Sequence, residues 1–143
     1  MAQDGSSPPE KITTGGQAFR YDPKWSPDND HIAFTDKDGR VWLVSLKDHA
    51  TQEIAHCTEG EIHDYAWSPG GGYLAFSMSD NRSFSALYIW SMKENKLRQV
   101  TSGTFNEDSP AWHPGGDYLY FMAHHEFQPQ ISRIEFDLSL IHI

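Results

Sequence analysis

Cysteine is almost missing from this chain: Cys57 stands alone. An internal disulfide is therefore excluded, and a lone thiol is expected to stay reduced. No apolar run approaches the roughly 20 residues that span a bilayer, so no membrane partner is expected. Basic residues are scarce, 11 Lys and Arg against 20 Asp and Glu, which argues against a phosphate-tracking surface and so against a nucleic-acid partner. The opening MAQDGSSPPE has neither the basic n-region nor the apolar h-region of a secretory signal. Also lacking is any segment that sustains a 3.6-residue apolar period over three turns. Hydrophobic residues still make up 38% and aromatic residues 13% of the chain, which is enough for packed structure and too rich for disorder.

What is present is repetition. WSPDNDHIAF (25–34) returns as WSPGGGYLAF (67–76) and again as WHPGGDYLYF (112–121). Trp25 to Trp67 is a step of 42 and Trp67 to Trp112 a step of 45. Seven residues after each Trp comes Ile32, Leu74 or Leu119, and nine after comes Phe34, Phe76 or Phe121. VWLVSLKDHATQEI (41–54) aligns without a gap on LYIWSMKENKLRQV (87–100) at an offset of 46. Length changes thus fall between the conserved-length segments, where loops absorb them cheaply.

Each unit reads as short strands. HIAFTD, YLAFSM and YLYFMA are apolar runs behind a Pro-containing turn, RVWLVSL and ALYIWSM are β-branched and aromatic, and TQEIAHC and KLRQVTS alternate polar with apolar. SPDND, SPGGG and HPGGD place Pro ahead of Gly, Asn or Asp, as tight turns require. Four short strands per unit of this length predict a β-propeller blade, since a three-unit β-solenoid would need shorter and more uniform coils. The fold class is all-β, a partial β-propeller of about three four-stranded antiparallel blades. Trp25, Trp67 and Trp112 are expected to be core residues packed between blades.

KITTGG (11–16) matches QVTSG (99–103), so residues 1–16 read as the outer edge of a truncated preceding blade. Blades follow over 17–57 and 58–103, with a final blade, complete or not, over 104–137. The tail LSLIHI (138–143) has no counterpart in the other units and looks like translated adapter read-through, so it receives no role. On this reading the chain is a fragment that begins mid-blade. Its two open blade faces would expose apolar side chains, and self-association is expected.

Units of the W-S-P-D-x-x-x-I-A-F kind are typical of TolB-like, prolyl-oligopeptidase-type and tricorn propellers. The stretches at 19–46, 61–92 and 104–136, in that order, resemble the late blades of the second propeller of tricorn proteases; the most specific is FNEDSPAWHPGGDYLYF (105–121) with its EFQP continuation. That resemblance implies a cytoplasmic, homo-oligomeric serine peptidase that trims oligopeptides, in which such a propeller filters and channels peptide substrates toward a catalytic region. The family's nucleophile lies outside the matching stretch, so no catalytic residue is assigned to this chain. Alternatives are an interaction propeller of the TolB or WD40 sort, or the propeller of a prolyl-oligopeptidase-type hydrolase.

A search of the residues themselves finds no GxSxG elbow. Ser68 sits in the Trp turn, where its hydroxyl is expected to bond nearby backbone. His56 and Cys57 are adjacent and point to opposite faces of a strand, a poor start for zinc with His63; neither metal nor cofactor is expected. Asp36, Asp38 and Gly39 resemble part of a calcium loop that a hydrogen-bonded turn also explains. His124 and His125, beside Glu126, read as a solvated loop. The remaining candidates come from register. The inner strand of each blade lines the central channel, and counting back from each Trp sets Tyr21, His63 and Asp108 in one column and Asp22, Asp64 and Ser109 in the next. These six polar positions are the expected channel wall.

Overall fold

The computed structural model describes residues 4–79, 84–125 and 128–135; the tail at 138–143 lies outside them. Eleven strands and no helix occupy the described residues. The first sheet is β1 (Arg20–Trp25), β2 (His31–Asp36), β3 (Arg40–Ser45) and β4 (Thr51–His56), hydrogen-bonded in that order. The second repeats it with β5 (Tyr65–Trp67), β6 (Tyr73–Ser79), β7 (Ser85–Ser91) and β8 (Lys96–Gln99). The third holds β9 (Asn106–Trp112), β10 (Tyr118–His125) and β11 (Gln128–Glu135), three strands among the described residues. All neighbours are antiparallel. Residues 4–19, which include most of the expected outer edge at 1–16, form no strand.

The repeated turn is built the same way three times. The backbone N–H of Ser26, Ser68 and His113 donates to the carbonyl of His31, Tyr73 and Tyr118, each at 2.9 Å. Asn29, Gly71 and Gly116 occupy the left-handed region at the same turn position, with φ of 61°, 71° and 81°, which is why Asn and Gly recur there. The Ser68 hydroxyl accepts the Tyr73 N–H at 3.0 Å, as the Ser26 hydroxyl accepts that of His31.

Strand alternation then assigns the faces. Ala33, Val41 and Leu43 of the first sheet meet Tyr65, Leu74, Phe76 and Trp90 of the second. Ala75, Leu87 and Ile89 of the second sheet meet Leu119, Phe121 and Ala123 of the third. Leu74 and Phe76 are completely buried, and each such side chain contributes roughly 1.5–3 kcal/mol. The stacked pair Phe76–Tyr88, 6.4 Å between centroids, repeats Phe34–Trp42 at the same separation one blade earlier.

One expectation fails. Trp25 is 59% exposed, whereas Trp67 and Trp112 are partly buried and pack against the two inter-sheet clusters. The cause lies in the neighbour, not in the unit: each tryptophan packs against the preceding sheet, and no described sheet precedes the first. The Ile32, Phe34 and Val44 face is covered instead by Ile12, Trp42 and Leu46, with the Arg20 guanidinium 5.1 Å from the centre of the Phe34 ring.

Candidate functional site

The first strands β1, β5 and β9 of the three sheets stand side by side. Their spacing is set by a repeated bond between sheets: the Trp67 indole N–H donates to the Lys24 carbonyl at 3.2 Å, and the Trp112 indole N–H to the Ala66 carbonyl at 3.1 Å. In both cases the acceptor is the residue just before the preceding tryptophan. Lys24 answers with its ammonium, which donates to the Tyr65 carbonyl at 2.6 Å and lies 4.5 Å from the centre of the Tyr65 ring.

On this wall the first register column splits. Tyr21 is half-buried and its ring meets that of His63 at 5.8 Å, while His63, exposed, pairs with Glu61 at 3.2 Å. Asp108 turns elsewhere. Its Oδ2 lies 3.1 Å from His124 Nε2, and its Oδ1 accepts the Ser109 hydroxyl at 2.9 Å. In the second column Asp22, Asp64 and Ser109 are all exposed. Asp22 and Ser109 carry positive φ, 48° and 54°, inside bulges that break the β1–β2 and β9–β10 registers. The residue after each is Pro23 or Pro110, which has no N–H for the ladder, so the strand bulges and re-aims the side chain before it. Tyr65 takes the proline's place in β5, and there the ladder continues: the Asp64 carbonyl accepts the Ser77 N–H at 3.3 Å.

Tyr65 is the residue that the register columns overlook. It is 2% exposed, and its hydroxyl has no hydrogen-bond partner among the described residues. Burial first, and the Asp22 carboxylate second, push the hydroxyl well above the ordinary tyrosine range, so it stays a neutral, unmet donor. Glu107 stands one position before Asp108 on the same strand. It is buried, its carboxylate accepts the Gly103 N–H at 3.3 Å, and its own N–H donates to the Ser85 hydroxyl at 3.0 Å.

His124 and His125 correct the sequence reading. They end strand β10 instead of lying in a loop, because the alternation of 118–123 runs on and Asp108 supplies a partner across the ladder. A tight carboxylate turn explains the calcium-like DKDG: Asp36 Oδ1 accepts the N–H groups of Asp38 and Arg40, both at 3.0 Å, and Oδ2 accepts the Trp42 indole at 2.8 Å. Cys57 is buried, its thiol 3.6 Å from the Ser79 carbonyl. Among the described residues no three His, Cys, Asp or Glu side chains are grouped to hold a metal ion, and no helix is long and apolar enough to cross a membrane.

Comparison with known proteins gives this geometry its context. A sequence model of the second β-propeller domain of tricorn protease matches residues 1–142. The tricorn protease of Thermoplasma volcanium is 26% identical over 139 residues, covering 93% of this chain and 13% of that protein. The chain thus spans a small part of the curated relative it matches. The crystal structure of the tricorn protease superposes with a TM-score of 0.72 at 14% identity, over 84% of this chain and 13% of that one. TolB from Acinetobacter baumannii follows the same path at a TM-score of 0.67 and 19% identity, over 95% of this chain and 34% of its own. At such identities these two likenesses speak for the fold.

Proposed function

The chain belongs to the family of tricorn protease second β-propeller domains, and from that premise we propose that its inner wall conducts peptides toward the catalytic region of a larger serine peptidase. The observation that carries this reading is the wall itself. Three adjacent inner strands present Asp22, Asp64 and Ser109 to solvent, with the Tyr21–His63 pair beside them. The carboxylates of Asp22, Glu61, Asp64 and Asp108 outnumber the cations Arg20 and Lys24 around them. Such a wall raises the local concentration of peptides that carry Lys, Arg or a free amino terminus. The homo-oligomeric assembly and cytoplasmic setting of tricorn-type peptidases belong to the same proposal. The chain's own part is passage and selection.

The test replaces Asp22, Asp64 and Asp108 together by Asn in the full-length peptidase that carries this propeller. Asn keeps the size of each side chain and removes the charge. We expect kcat/KM for long Lys-rich peptides to fall about 3–10-fold, at or just below the lower end of the range of electrostatic steering, while a dipeptide-sized fluorogenic substrate stays within about twofold. Equal loss on both substrates would place the effect in folding or chemistry and refute passage along this wall.

A further inference from the structure

Strand β1 carries two cations on either side of Tyr21, and both are committed to other rings. The Lys24 ammonium lies 4.5 Å from the centre of the Tyr65 ring. The Arg20 guanidinium lies 5.1 Å from that of Phe34 and donates to the Gly15 carbonyl at 3.0 Å. A third such pair, Arg133 against Tyr118 at 4.8 Å, joins β11 to β10. The Tyr21 ring instead meets His63 of the next sheet, 5.8 Å away and tilted by 55°. The His63 side chain is 54% exposed, and its Nε2 stands 3.2 Å from Glu61 Oε2. One residue after each ring comes a carboxylate, Asp22 or Asp64, and both are exposed. Among the described residues neither of these two has a hydrogen bond or ion pair through its side chain, whereas Asp108 is held by His124 and Ser109. The result is a notch with aromatic and anionic walls. Its two sides come from the first and second sheets, so both lie within the described residues.

We propose that this notch takes an arginine side chain of a peptide moving along the inner wall. This subsite rests on the passage function proposed for the wall. A guanidinium is flat, weakly hydrated and carries its donors in a fork. Laid against the Tyr21 and His63 rings, it comes within the roughly 6 Å at which a ring attracts a cation. Its N–H groups then turn to the carboxylates of Glu61, Asp22 or Asp64. An ammonium is a compact, strongly hydrated charge and gains less from a flat ring. The charge of the wall draws any cationic peptide, and the rings add a preference for arginine at one place on it. A cation on an exposed ring improves binding only about 2–5-fold. Weak binding suits passage, since a chain gripped tightly at one point would not move on.

The test uses the full-length peptidase that carries this propeller and two long fluorogenic peptides. They are identical except that one has arginine and the other citrulline at the end remote from the cleaved bond. Citrulline keeps the planar shape of arginine and lacks its charge. The ratio of kcat/KM for the two peptides is taken within each variant, so any loss of folded enzyme cancels. The unmodified enzyme should favour the arginine peptide. Tyr21→Leu should lower that preference about 2–5-fold, and Tyr21→Phe, which keeps the ring, should leave it unchanged. An unmodified enzyme without the preference would overturn the notch, and so would Tyr21→Leu with the preference undiminished. Tyr21→Phe falling as far as Tyr21→Leu would also overturn it, because the ring would then not be the cause. Failure of passage itself reads differently, as an equal loss on long and short substrates when Asp22, Asp64 and Asp108 are replaced by Asn.

Discussion

Tyr65→Phe should stabilise this protein. The hydroxyl is buried with no partner among the described residues, and an unmet buried hydroxyl costs about 1–3 kcal/mol. Deleting one oxygen forfeits only a few dispersion contacts of roughly 0.1–0.2 kcal/mol each. The ring remains, and with it the Lys24 contact at 4.5 Å and the packing against Leu74 and Phe76. The expected net gain is about 0.5–2 kcal/mol. With an unfolding entropy near 2.1 cal/mol/K per residue, a gain of ~1 kcal/mol raises Tm by about 3 °C. Urea unfolding followed by circular dichroism measures it, with Tyr65→Ala as the control for the ring, expected to cost about 3–5 kcal/mol. The pH dependence has a definite sign. The folded hydroxyl titrates above its ordinary value of 10.0, so above that pH the unfolded chain releases a proton that the folded chain keeps. Native stability therefore falls as pH rises through about 10, and the advantage of Tyr65→Phe widens there. A loss of more than about 1 kcal/mol on Tyr65→Phe at neutral pH would refute the reasoning, because it would mean that the hydroxyl has a strong partner in solution.

Two further outcomes follow from the repeats. Trp67→Phe and Trp112→Phe each remove an indole that bonds the preceding sheet, at 3.2 and 3.1 Å, and should cost about 1–3 kcal/mol in urea unfolding; Trp25→Phe, measured where the chain is monomeric, should change stability by less than about 0.5 kcal/mol. Gly39 has φ +75°, and a Cβ there would come within 2.2 Å of the Cys57 carbonyl and 2.4 Å of that of Gly60, so Gly39→Ala should lower thermal stability by more than about 2 kcal/mol, since both the backbone and the space refuse it.

The family resemblance, the three units and their strand faces were all legible in the order of residues. Period-two alternation and turn chemistry act within ten residues, and they choose which side chains point to a neighbouring sheet without regard to what the neighbour is. Hence Phe34 and Phe76 could be matched by counting, and so could the turn that Asn29, Gly71 and Gly116 complete. The inner columns were likewise readable as a list of positions. Counting could not say that Asp108 would turn to His124 while His63 meets Tyr21, because those choices depend on strands 16 residues and 42 residues away. Nor could it separate Trp25 from Trp67. Both tryptophans open a W-S-P turn, and a neighbouring sheet packs and bonds Trp67 whereas no described sheet stands beside Trp25. Tyr65 illustrates the same division. Its place in the strand follows from register, but the stranded hydroxyl is a property of the walls around it, which the first two sheets build together and no single segment encodes.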